Sequence, residues 1–261
     1  MSPAPSTAPR FLVAALLLPL AVACGGSGDT GGSGDGDGGD SATLTVLAAT
    51  SLTDVFTRAG EVYEDAHPGV TVRFSFAGSQ ELAAQVTQGA PADVLVTADA
   101  RTMADVAGET GEPAVIARNE LVIVTPPDNP ADVADLADLA DPALRLVLAA
   151  PEVPAGRYGQ QILDAQGLDV TPDSQEPNVR AVLGKVQLGE ADAGLVYVTD
   201  ATAAGDAVRA VPIPAGQNVT AEYPAAALNG SDHADQAQEF VDWLTTPEAE
   251  ALLTDAGFRA P

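Results

Sequence analysis

The sequence predicts an α/β fold in which a largely parallel sheet carries helices on both faces. Three observations lead there. Short apolar runs of buried-strand type alternate with segments whose apolar residues recur at helical spacing. The connections between them are short, and Gly, Pro, Ser or Asn stands at most of the handovers. Roughly 220 residues follow the N-terminal region, enough for one large domain or two lobes with separate cores. Alternation of this kind with short links implies strands covered on both sides.

Taken in order, Leu44-Thr45-Val46-Leu47-Ala48 is a short apolar strand. Leu52, Val55, Phe56, Ala59, Val62 and Tyr63 then repeat as one helix face, which stops at His67-Pro68-Gly69. Val70, Val72, Phe74 and Phe76 alternate as a second strand, and Ser79 opens a helix carrying Leu82, Ala83 and Val86. Val94-Leu95-Val96 is a third strand, followed by a helix around Met103 and Val106. A second unit has strands at Leu121–Val124, Leu146–Ala149 and Leu195–Val198, with helices over Gly156–Ala165 and Val179–Leu188. Pro126-Pro127-Asp128-Asn129-Pro130 is a loop by its prolines. Phe240, Leu244, Leu252 and Leu253 belong to closing helices that Thr246-Pro247 interrupts.

The points where strands or loops pass into helices carry the functional signal. Ser51 reads as an N-cap with Asp54 three residues on, the spacing of a capping box. Ser79 reads as the cap of the next helix. Pro154 suits a first helical position and leaves the amides of Ala155 and Gly156 pointing outward, while Asn178 is a good cap that exposes the amide of Val179. Tyr197 adds a phenol at a strand end. Each alone is ordinary capping. Converging on one point, they would make an anion site without any charged side chain, because helix starts present unpaired N–H groups and partial positive charge. Ligands of open α/β sheets sit beyond the carboxyl ends of the strands, where Ser51 and Ser79 fall.

Residues 1–23 read as a secretory signal, with Arg10 as the one positive charge and an apolar run from Phe11 to Val22. Ala21-Val22-Ala23-Cys24 resembles a bacterial lipoprotein box, and Cys24 is the chain's single cysteine. Cleavage there would leave a lipidated Cys24 at the mature N-terminus; an ordinary signal peptide with a free thiol is the alternative. Residues 24–41 then form a Gly/Ser/Asp tether with nothing to build a core. The formal net charge of −26, from 37 acidic and 11 basic residues, argues against nucleic acid and anionic lipid as partners. The acids are scattered over helix faces, the pattern of a solvated surface.

Several short stretches in a fixed order resemble the periplasmic molybdate-binding protein family, the solute receptors of molybdate importers. They are Ala48–Asp54, Phe76–Ser79, Gly89–Asp93, Asn119–Val122, Val153–Tyr158, Asn178–Arg180 and Tyr197–Ala201, and the resemblance spans residues 43–261. It implies the type II periplasmic-binding-protein fold, two-lobed, each lobe a mixed, mainly parallel sheet flanked by helices. One lobe would hold residues 42–118 and 222–261, the other 119–221, with crossovers near Ala117-Arg118 and Glu222-Tyr223. It also implies that molybdate or tungstate is held by the hydroxyls and amides of Ser51 and Ser79, the amides of Ala155 and Val179, and the hydroxyl of Tyr197. No cofactor is expected, and the partners implied are an ABC transporter permease and, through the lipid anchor, the membrane. A monomer is expected.

Physical chemistry agrees with that site. An all-donor site satisfies every oxygen of a fully deprotonated tetrahedral dianion, whereas phosphate at neutral pH carries a proton that finds no acceptor there. Sulfate differs from molybdate mainly in size. Other chemistry is poorly supported by the residues. His67 and His233 have no ligand spacing for a metal. Asp93 and Asp99 flank a strand and read as holding turns and helix starts, with no nucleophile or acid–base partner beside them. Arg180 is placed to touch an anion or to form an ion pair. Receptors for another oxyanion such as sulfate, and a surface-anchored hydrolase or adhesion lipoprotein on the same fold, remain as alternatives to a molybdate receptor.

Overall fold

The computed structural model describes residues 41–261. The signal-like segment, Cys24 and the tether to residue 40 lie outside the described residues. The chain begins β1 (Ala42–Ala49), α1 (Thr53–Ala66), β2 (Val70–Ala77), α2 (Ser79–Thr87), β3 (Val94–Val96) and α3 (Ala100–Asp105). It continues β4 (Ala114–Thr125), β5 (Leu146–Ala149), α4 (Pro154–Ala165), β6 (Ser174–Glu176), α5 (Val179–Gln187), β7 (Ala193–Tyr197) and α6 (Val198–Ala204). The last elements are β8 (Arg209–Pro212), β9 (Thr220–Ala227), α7 (Ala234–Trp243) and α8 (Pro247–Asp255).

The strands form one mixed sheet in the order β2-β1-β3-β9-β4-β7-β5-β6, with β8 also on β4. At one end β1 lies parallel between β2 and β3, and at the other β5 lies parallel between β6 and β7. The antiparallel strands β9 and β4 join the two ends. The first part of β4, Ala114 to Glu120, pairs with β9, and the rest, Leu121 to Thr125, pairs with β7 and β8. In the β4–β9 ladder Ala117 stands opposite Tyr223 and Arg118 opposite Glu222.

A large apolar cluster runs through Leu44, Val46, Phe56, Ile116, Ile123, Val147, Ile162 and Val196 to Phe240. A smaller cluster of Leu47, Leu82, Leu95 and Met103 fills the space beneath α2 and α3. The alternation of Leu44, Val46 and Ala48 against Leu47 explains the pair, since successive side chains of β1 enter opposite layers.

The structure differs from the sequence expectation in four places, each with a physical reason. Strand β7 ends at Tyr197 and Val198 already starts α6, so the expected strand Leu195–Val198 is a residue too long. Strand β4 reaches back to Ala114, through Arg118, Asn119 and Glu120, polar residues that hide a strand from a hydrophobicity reading. Strands β6, β8 and β9 were not expected at all: Ser174-Gln175-Glu176 is polar, β8 is mostly exposed, and β9 carries Pro224 among alanines. Finally, neither serine is a helix cap. Ser51 lies inside a 3-10 turn, Thr50–Leu52, ahead of α1, and Ser79 is the first residue of α2 after Gly78; neither hydroxyl bonds to its helix.

Candidate binding site

The carboxyl ends of β1, β2, β5 and β7, together with the turn that follows β6, open onto one small cavity. Its lining includes Ala49, Thr50, Ser51, Ala77, Gly78, Ser79, Ala98, Val153, Pro154, Ala155, Asn178, Val179 and Tyr197. All five residues expected to bind ligand are in that lining, and no charged side chain is. The cavity offers about 10 Å³ to the centre of a water-sized sphere, which corresponds to a rounded void of roughly 2.7 Å radius once the ~1.4 Å radius of water is added. That is room for one small polyatomic ion and too little for a sugar or an amino acid.

Each contact has a local cause. Helix α4 starts with Pro154 at its first position, which fixes the backbone angle and leaves the next amides, Ala155 and Gly156, without intrahelical partners. Gly156 is required there by space: a β-carbon on it would stand 2.0 Å from the Ala150 carbonyl oxygen and 2.6 Å from that of Ala149. Asn178 caps α5 as expected, its Oδ1 accepting from the Ala181 amide at 2.9 Å. The amide of Val179 therefore stays free of the helix ladder.

The two serines are held from outside their helices. The Ser79 hydroxyl accepts from the Ala98 amide at 3.0 Å, which engages its oxygen and leaves its own proton to give. The Ser51 hydroxyl lies 3.0 Å from the Tyr223 hydroxyl on β9, with both residues buried. Tyr197 is buried and its hydroxyl makes no hydrogen bond among the described residues. Burial pushes the Tyr197 phenol well above its ordinary range, so it remains a proton donor at any physiological pH. A buried phenol without a partner costs free energy unless something enters to receive its hydrogen bond.

Arg180 turns out to be an ion-pair residue. Its Nη2 lies 2.6 Å from Asp54 Oδ2 on α1 and its Nε 2.7 Å from Asp200 Oδ1 on α6, beside the cavity and outside its lining. Burial works against the Arg180 charge, and Asp200 and Asp54 together more than offset it. At Asp200, wholly buried, the loss of water outweighs the pull of Arg180 and of the Tyr197 amide, and its carboxyl is pushed up to about 6. Asp99 caps α3 through the Thr102 amide at 2.9 Å and accepts from Arg157 Nε of α4 at 3.0 Å. Asp93 accepts from the Thr45 amide at 2.7 Å and from the Ser231 hydroxyl, tying β1 to the loop after β9. Both aspartates thus hold structure, as their positions suggested.

Tyr223, which stands behind Ser51 outside the lining, is the neighbour of the site that sequence reasoning missed. It lies 172 positions from Ser51, on a strand without an apolar pattern. The only available signal was the rule that a buried tyrosine needs a partner for its hydroxyl.

An α/β sheet with strand ends and helix starts gathered round one ion-sized cavity defines a solute receptor. The chain belongs to the bacterial extracellular solute-binding protein family, whose model matches residues 44–259. It is 40% identical over 253 residues to the molybdate-binding protein ModA of Mycobacterium tuberculosis, covering 96% of this chain and 97% of that one. Among solved structures it is similar to the Azotobacter vinelandii periplasmic molybdate-binding protein, with a TM-score of 0.71 at 22% identity over 84% of this chain and 99% of that chain. The sulfate-binding protein SubI from Mycobacterium tuberculosis has the same fold, with a TM-score of 0.75 at 20% identity over 84% of this chain and 86% of that chain.

Proposed function

We propose that the protein is an extracytoplasmic receptor that binds molybdate, and by the same chemistry tungstate, and delivers it to the permease of an ABC importer. The observation that carries this reading is the cavity: serine hydroxyls, helix-start amides and an unpartnered phenol surround an ion-sized space with no charged side chain in its lining. The ligand contacts proposed are the hydroxyls and amides of Ser51 and Ser79, the amides of Ala155 and Val179, and the hydroxyl of Tyr197. The 40% identity to a relative that is itself a molybdate-binding protein supports the choice of ion. Sulfate is the second reading, favoured by the sulfate-binding protein of the same fold.

The receptor works by closing two lobes, residues 42–118 with 222–261 and residues 119–221, over the ion. Three contacts that would cross the cleft support this: Arg157 to Asp99 and Thr102, Arg180 to Asp54, and Gln80 Nε2 donating to the Pro177 carbonyl at 2.8 Å. The two proposed crossovers are each other's neighbours in the β4–β9 ladder, so one pair of strands serves as a double hinge. Cys24 carries the lipid anchor, and Cys24→Ser should move the protein from the membrane to the soluble fraction.

The deciding experiment is a calorimetric titration of the purified domain with molybdate, tungstate, sulfate and phosphate. Tight binding of the first two, with phosphate silent, is the expected result; sulfate binding without molybdate would transfer the assignment to sulfate. At a thousandfold excess over Kd, the bound ion should stabilise the fold by about 4 kcal/mol, read as a rise in Tm.

A further inference from the structure

We propose that Tyr223 is a positioning residue that holds the Ser51 hydroxyl as a donor toward the cavity, and thereby sets the discrimination between fully deprotonated oxyanions and those that carry a proton. The inference rests on the oxyanion-receptor reading and deepens it.

A serine hydroxyl has one proton and two lone pairs, and left alone it rotates to suit whatever it meets. Ser51 is not left alone. Its oxygen lies 3.0 Å from the Tyr223 hydroxyl, which is completely buried on β9 and does not line the cavity. The neighbours of Tyr223 bear on which way that bond runs. Asn119 Oδ1 accepts from the Glu120 amide at 2.9 Å, which fixes the amide so that Nδ2 donates to Thr199 Oγ1 at 2.8 Å; the Asn119 amide and the Tyr197 phenol both lie beside the Tyr223 hydroxyl. Either oxygen of the Ser51–Tyr223 pair can be the donor by distance; in the proposed polarity Tyr197 keeps its proton for the cavity and Tyr223 gives its own to Ser51. Burial raises the phenol far above its ordinary range, so that proton is always present.

The proposed polarity is a chain running one way, from Tyr223 to Ser51 and from Ser51 into the cavity. Bonds aligned in this manner polarise one another and strengthen the last one. Ser79 has the same polarity by another route, because the Ala98 amide engages its oxygen at 3.0 Å. Each serine oxygen thereby has one lone pair engaged from behind, which favours its proton pointing into the cavity. A protonated oxyanion such as hydrogen phosphate needs one acceptor in the cavity, and this arrangement withholds it at both serines.

The test is calorimetry at pH 7 with molybdate, sulfate and phosphate on the parent, Tyr223→Phe, Ser51→Ala and the double variant. Tyr223→Phe keeps the ring and removes the hydroxyl, so Ser51 can rotate and accept. Molybdate and sulfate should each weaken by the same factor, about three- to tenfold, as for loss of one hydrogen bond. The molybdate-to-phosphate ratio should fall at least tenfold further, with the molybdate-to-sulfate ratio unchanged. Ser51→Ala should also lower the molybdate-to-phosphate ratio, and adding Tyr223→Phe to it should change that ratio no more. An unchanged molybdate-to-phosphate ratio in Tyr223→Phe, or in Ser51→Ala if the tyrosine variant fails to fold, overturns the proposal. A parent that binds sulfate and not molybdate overturns the molybdate reading alone, and the relay is then read from the sulfate-to-phosphate ratio. A parent that binds no oxyanion overturns both.

Discussion

In the proposed site single donors decide how tightly the ion sits, because each lost hydrogen bond leaves a buried anionic oxygen short. The loss for a charged acceptor is roughly 1.5 to 3 kcal/mol. Ser51→Ala, Ser79→Ala and Tyr197→Phe should therefore each weaken molybdate binding by about one to two decades, measured by calorimetry. Arg180→Gln should matter less, since its guanidinium is spent on Asp54 and Asp200. If Arg180→Gln abolishes binding while the three hydroxyl variants bind as the parent does, the ion is held by charge and the proposed contacts are wrong. Space at Gly156 gives a second residue-scale prediction. Gly156→Ala drives a β-carbon into two backbone carbonyls, which do not move cheaply. It should lower stability by about 1 to 3 kcal/mol in denaturant unfolding and displace the Ala155 amide, so molybdate affinity falls as well.

Helix starts are the working parts at the next scale, and α5 separates capping from binding. Asn178→Ala removes the acceptor for the Ala181 amide and should cost about 1 kcal/mol of stability. Asn178→Asp keeps that acceptor and improves the helix start electrostatically, yet places a negative charge in the cavity lining. Its Tm without ligand should match or exceed the parent's, while molybdate affinity drops by more than tenfold. Equal loss of stability in both variants would mean the amide side of Asn178 matters more than its oxygen. The strand-to-helix handovers were legible in the sequence because Pro154 and Asn178 carry their own geometry. Ser51 and Ser79 were placed correctly at strand ends but given the wrong partners. Short-range rules assign a serine at a helix start to its own helix, whereas these two bond to Tyr223 and Ala98 across the fold.

Across the whole molecule, pH enters through Asp200. Its carboxyl sits at about 6 in the fold, chiefly because burial disfavours its charge. The folded state thus binds this proton more tightly than the unfolded chain. The associated stability is present below about 4, the ordinary range for an aspartate, and is lost as pH rises through about 6. Asp200→Asn mimics the protonated form at every pH. Its Tm without ligand, relative to the parent's, should therefore rise as pH is raised from 4.5 to 7.5. The opposite trend would mean that pairing with Arg180 outweighs desolvation. The same ion-pair network joins α5 to α1 and α6, so this titration and the proposed closure over the ligand share residues.

The sequence by itself determined the elements with strong periodicity, the parallel unit β2-β1-β3 at one end of the sheet, the strands β5 and β7 at the other, and the stretches that line the cavity. Those properties are local: side-chain alternation, helix-start chemistry and the glycine after Pro154 are written within a few residues of where they act. Tertiary structure alone decided the rest. The middle of the sheet is built from β9 and the Ala114–Glu120 half of β4, whose alanine-rich and polar sequences become strands because flanking strands supply their hydrogen bonds. It decided that Arg180 faces two carboxylates and lies outside the lining, that the Tyr197 hydroxyl makes no hydrogen bond among the described residues, and that Tyr223 stands behind Ser51. A hydrogen bond between residues 172 positions apart leaves no trace in either local sequence. Only the folded sheet brings the two hydroxyls within reach of each other.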